Sequence, residues 1–129
     1  MTYYPDLSIY TYSESDNPML NVGWLSRDHE YRKGEAPEGL IKALAKLAKE
    51  SVNVQRGMHF CELCPSFQVA RENTSWHDIF IGSGEIHVAS PQGTAYAAPA
   101  MIVHYVDSHA YLPPEDFCNA ALQALRQDS

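Results

Sequence analysis

The sequence is poor in cysteine, in positive charge and in long apolar runs, and each shortage excludes something. Three cysteines, two of them in one Cys-x-x-Cys, are too few for the disulfide framework that holds small secreted domains together. Only nine Lys and Arg stand against 16 Asp and Glu, a net charge of −7. Such a chain lacks the basic face that neutralises phosphates, so no nucleic-acid partner is expected. No stretch approaches the roughly 18 apolar residues of a membrane helix. Met1 to Asp6 does not show the basic-then-apolar order of a signal peptide. These absences lead us to expect a cytoplasmic chain with no membrane partner. P-loop, dinucleotide and nucleophile-elbow patterns are missing too, and Gly82-Ser83-Gly84 alone is too short to stand for one.

The remaining composition is that of a folded domain. Hydrophobic residues make up 45% and charged ones 19%, enough for one core over 129 residues, so residues 1–129 are expected to form a single domain. Tyr3 to Tyr12 is rich in tyrosine and β-branched residues and suggests an edge strand; Met19 to Leu25 alternates as a second. Ser26 to Glu35 is polar and forms a loop. Pro37 opens a helix whose Leu40, Ile41, Leu44, Leu47 and Ala48 recur at helical spacing. Lys42, Lys46 and Lys49 are expected to be its solvated face. Ser66 to Asp78 looks irregular. Ile79–Gly82 and Gly84–Ala89 suggest strands, and Pro91-Gln92-Gly93 turns the chain back into Thr94–Ala98, making a hairpin. A second helix is expected from Pro99 through Val106. A third follows Pro113-Pro114, with Phe117, Ala121 and Leu125 on one face. The fold class is therefore α+β: a small antiparallel sheet covered by about three helices.

The chemistry is concentrated in His59-Phe60-Cys61-Glu62-Leu63-Cys64. Two cysteines at this spacing can aim both sulfurs at one ion from a tight turn, while a knuckle N–H donates to a sulfur. A closed zinc site needs two further ligands, and His59, His104 and His109 are the candidates, with zinc the expected cofactor. His104 and His109 are five positions apart, which on an ideal helix separates them by about 140°. Both can reach one ion only if the helix stops near His109. The plainer role for His104 is a helix histidine satisfied by Asp107. His87 suits a cross-strand position, and Cys118 a small buried hydrophobe. A redox Cys-x-x-Cys fits less well, because no continuous apolar strand precedes it. Glu62 and Glu85 could serve as acid or base at an open metal site, but both are more simply surface carboxylates.

Several stretches together resemble a family of small bacterial proteins of unknown function with a Gly-x-His-x-Cys-x-x-Cys core. They are Tyr4-Pro5-Asp6-Leu7-Ser8, Asn21-Val22-Gly23-Trp24, Arg56 to Cys64, Tyr96-Ala97-Ala98-Pro99, His104-Tyr105-Val106 and His109 to Pro114. The resemblance implies a bacterial, free-standing domain and no activity.

The expected function is a non-enzymatic, zinc-stabilised protein-binding module, with an immunity-type inhibitor as one concrete form. Its acidity suits a basic protein partner, and Tyr3, Tyr10 and Tyr12 would suit an interface rim. The alternative is a metal- or thiol-dependent enzyme working at His59, Cys61 and Cys64.

Overall fold

The computed structural model describes residues 3–10, 19–50 and 60–127. Six short strands and four helices follow one another along them: β1 (Ile9–Tyr10), β2 (Met19–Asn21), α1 (Leu40–Lys49), α2 (Phe67–Glu72), β3 (Ser75–Trp76), β4 (Ile79–Phe80), β5 (Glu85–Ala89), β6 (Ala95–Pro99), α3 (Ile102–Ser108) and α4 (Glu115–Gln127). The fold is α+β, as its sequence indicates.

The main sheet has the order β1-β2-β6-β5. The hairpin expected around Pro91-Gln92-Gly93 is its backbone, pairing β5 with β6 from Glu85↔Pro99 to Ala89↔Ala95. β2 lies on the other side of β6 and runs parallel to it, so the sheet is mixed rather than wholly antiparallel. A parallel pair needs a long crossover, here everything between Asn21 and Ala95, and no local pattern announces such a partner. β1 completes the edge, antiparallel to β2.

Alternation divides the sheet's two faces. Ile86, Val88, Tyr96 and Ala98 join the main core with Leu40 and Leu44 of α1, Ile102 and Tyr105 of α3, and Phe117 and Ala121 of α4. Ala97 points the other way, packing with Met19 and the fully buried Trp24, whose indole N–H donates to Ala97 O at 3.0 Å. Gly23 (φ 81) sits where a Cβ would lie 2.8 Å from Ile102 Cδ1, so a bare backbone is what lets this segment pass close over α3. The N-terminal segment is tied in by Asp6, which accepts from the Gly23 N–H (3.0 Å) and from the hydroxyl of buried Tyr111 (2.8 Å).

Some boundaries differ from expectation. α1 begins after Gly39 (φ 85), so Pro37 precedes the helix rather than opening it. Pro99 ends β6 instead of opening α3, because the ladder continues to the Ala100 N–H, which donates to Gly84 O (3.0 Å). Residues 66–78 are not irregular. Ser66 accepts from the Val69 N–H and caps α2, and β3 pairs with β4 in a two-stranded ribbon. A six-residue helix is too short for periodicity to detect; the serine cap was its one signal.

Candidate metal centre

Two elements bring the chemical residues together. In the first, Cys61 to Cys64 form a turn closed by the Cys64 N–H donating to Cys61 O (3.4 Å). The N–H groups of Leu63 and Cys64 also point at the Cys61 sulfur, the knuckle arrangement that favours a thiolate there. Arg27, from the loop after β2, fixes the turn from outside: its Nε donates to Glu62 O (2.8 Å) and its Nη2 to Cys64 O (3.4 Å).

The second element is the end of α3. His104 lies within the helix and is buried, while the helix stops at Ser108 and His109 is its C-cap (φ −117, ψ 11). Ala110 then takes a left-handed conformation (φ 55). A non-glycine residue there costs roughly 1 kcal/mol. In return the chain reverses at once: the Tyr111 N–H donates to Tyr105 O (3.2 Å), and Tyr31 Oη donates to His109 O (2.9 Å). The helix therefore ends where the spacing of the two histidines requires, and both rings face the cysteines.

Cys61, Cys64, His104 and His109 each offer one donor atom, and all four atoms lie within 4.8 Å of one another. Cys61 Sγ is 3.3 Å from His109 Nε2, Cys64 Sγ is 3.3 Å from His104 Nε2 and 3.9 Å from His109 Nε2, and the two Nε2 atoms are 3.1 Å apart. A tetrahedral ion with sulfur at about 2.3 Å and nitrogen at about 2.0–2.1 Å requires S–N edges of about 3.6 Å and an N–N edge of about 3.4 Å. These four edges match within a few tenths of an ångström, and the whole cluster lies within 4.8 Å. These four side chains could hold a metal ion.

Burial shapes the electrostatics. The Cys61 thiol is pushed up to about 12, chiefly by desolvation and then by Cys64 beside it, against the pull of the Leu63 and Cys64 N–H groups. Desolvation, helped by His109, lowers His104 to about 4, and desolvation lowers His109 as well. Without an ion both imidazoles are neutral near pH 7, each with a lone pair to offer, and Cys61 keeps its proton. Only a cation makes thiolates favourable in such a place.

Other expected residues fall elsewhere. His59 lies outside the described residues. Asp107 does not hydrogen-bond His104; it accepts the Trp76 indole N–H at 3.0 Å. Glu62 is half-buried and not among the converging donors. Glu85 is not a surface carboxylate: it is 1% exposed, on the sheet face of Ala97, with His87 Nε2 at 3.0 Å. The sheet position was legible, but not the chain that covers that face. Cys118 is a buried small group, as expected, 3.6 Å from Pro113 O.

Two supporting residues carried no sequence signal. Arg27 is one. The other is Asn73, at the C-cap of α2, whose Nδ2 donates to Cys64 Sγ (3.7 Å) and to Val69 O (3.0 Å). Partners of ligands tune affinity by about 10–100-fold. Asn73→Leu is therefore expected to weaken metal binding roughly tenfold, read by competition with a coloured chelator, and an unchanged affinity would remove Asn73 from the centre.

Residues 2–122 match the sequence profile of a family described as Domain of unknown function (DUF7919), and the chain belongs to that family. No curated protein and no solved structure matches it.

Proposed function

We propose that this member of an uncharacterised domain family holds a structural zinc ion through Cys61, Cys64, His104 and His109, and acts as a non-enzymatic module that binds another protein. One observation carries the zinc: two sulfur and two nitrogen donors gathered within 4.8 Å, four of their separations near tetrahedral edge lengths. Two thiolates with two imidazoles are a donor set zinc favours over magnesium or calcium, which take oxygen. Four protein ligands leave no open position, which suits a structural ion better than a catalytic one. A reducing compartment such as the cytoplasm would keep both sulfurs available.

The binding role draws on the surface. Phe67 is 66% exposed on α2, immediately beyond the knuckle, with Phe60 packed against it at 5.1 Å between ring centroids. Ile9, in edge strand β1, is 63% exposed. A zinc-held turn presenting an aromatic on a chain of net charge −7 fits recognition of a basic protein, and an immunity-type inhibitor is one such role. Of the tyrosines considered for a rim, Tyr3 stacks on His29 at 3.7 Å, and Tyr12 lies outside the described residues.

Elemental mass spectrometry of the untagged protein, with a free-thiol count, tests the centre. About one zinc per chain with Cys61 and Cys64 protected is the expected result. A metal-free protein with both thiols reactive would refute it.

One feature favours the enzymatic alternative. His109 is the least buried ligand, and a cleft of about 460 Å³ lined by Arg27, His29 and Tyr31 adjoins the loop that braces the knuckle. Cobalt substitution separates the two readings: a closed centre keeps its visible spectrum when azide is added, and an open one changes it.

A further inference from the structure

We propose a second binding site, separate from the metal centre: the cleft between α1 and the β3–β4 ribbon takes a small organic anion with a flat apolar body. The cleft encloses about 400 Å³, at the small end of the range for sites that hold single small molecules. Its two walls differ in chemistry. Along α1, Lys42, Lys46 and Lys49 follow one another at spacings of four and three, so they share one helical face. Opposite them stand Trp76 of β3 and Ile79 of β4, with Ala45 as the floor.

The charge distribution is unusual for this chain. Of its nine Lys and Arg, three line this one cleft in a protein of net charge −7, against the single acid Glu50 among the described lining residues. Exposed Lys42 and Lys49, on the same helix face, offer an anion two ammonium groups at the rim of the cleft. A helix face expected to be merely solvated thus becomes one wall of a cavity whose other wall is aromatic.

The aromatic wall is fixed in advance. Trp76 gives its indole N–H to Asp107 of α3 at 3.0 Å, and the His77 ring meets it edge-on at 4.2 Å between centroids. His77 itself holds a left-handed conformation (φ 53) at the ribbon's turn. A ring held in this way offers stacking area to a flat ligand with little ordering cost. Lysine ammonium groups act as point charges and do not impose the bidentate geometry of arginine. The anionic group can therefore be a carboxylate or a phosphate.

The test uses the full chain as isolated, with 1-naphthoate, 1-naphthyl phosphate and uncharged 1-naphthalenemethanol as probes. Calorimetry gives the affinities. The two tryptophans give two indole N–H signals by nuclear magnetic resonance, with Trp76 assigned through Trp76→Phe. The expected result is saturable binding of one or both anions, with the Trp76 signal shifting and that of fully buried Trp24 unmoved. The neutral alcohol should bind at least tenfold more weakly. The paired change Lys42→Gln and Lys49→Gln, at two exposed positions, should cost a similar factor while melting temperature and metal content stay as they were. A preference between the two anions identifies the headgroup. Saturation by the alcohol as tight as by the anions, indifference to the lysine changes, or no shift of Trp76 at millimolar probe would overturn the proposal. The cleft shares no residue with the metal ligands, so its failure leaves the zinc reading standing, and the reverse holds too.

Discussion

Cys61→Ser is expected to lower the melting temperature by roughly 15 °C. The thiol is 2% exposed, receives two knuckle N–H groups and sits 3.3 Å from His109. Losing it breaks a four-ligand site, and ion-binding energy in such a site is folding energy. This domain also has a core of its own, so a loss of about 4 kcal/mol is more fitting than the complete unfolding of a zinc finger, and each kcal/mol moves the midpoint of a chain this size by about 4 °C. Two controls give the number its meaning. Chelator added to the parent protein should reproduce the drop, and chelator added to the variant should do nothing more. Cys118→Ser, in a buried thiol outside the centre, should cost only about 1–2 kcal/mol and keep the metal. If chelator and Cys61→Ser both leave the melting curve in place, the ion has no structural role.

The second large effect is on pH. Loading the ion displaces the proton from the Cys61 sulfur. Burial pushes Cys61 to about 12. Its proton must therefore be expelled throughout the neutral range. The imidazoles add nothing to this count. His104 is lowered to about 4 and His109 is lowered as well, so both are already neutral and ready to coordinate. The sign follows: affinity falls as pH falls, by at least about tenfold per unit between roughly pH 6 and pH 8. Histidines with ordinary values near 6.5 would steepen the dependence in the lower half of that window, whereas here it should stay straight. Competition titrations at several pH values measure the slope. A slope near zero would mean that no thiolate coordinates the ion.

The centre was partly legible because its parts are local. Cys61 and Cys64 share a turn, and their spacing alone suggests a common target. His104 and His109 were harder, since a regular helix would separate them, and only the stop at Ser108 with the reversal at Ala110 brings them together. No glycine marks that reversal, so the usual sign of a helix end was missing. Asn73 and Arg27 reach the centre from elements whose positions depend on the whole fold. The hairpin and three helices could be recognised from turn residues and apolar spacing. By contrast, the parallel pairing of β2 with β6 and the burial of Glu85 depend on chain segments far away in sequence, where no pattern in a single window can speak for them.

The parallel pair also sets an order of events during synthesis. β2 leaves the ribosome long before its parallel neighbour β6 exists, and the Trp24 side chain waits for an acceptor 73 positions downstream. The four metal ligands all lie between residues 61 and 109 and converge without either N-terminal strand. A nascent chain can thus close its C-terminal hairpin, α3 and the knuckle as one unit, and then accept the older segment along a finished edge. For that interval β2 has β1 on one side and an open edge on the other, with an uncovered indole beside it, the state most in need of a chaperone.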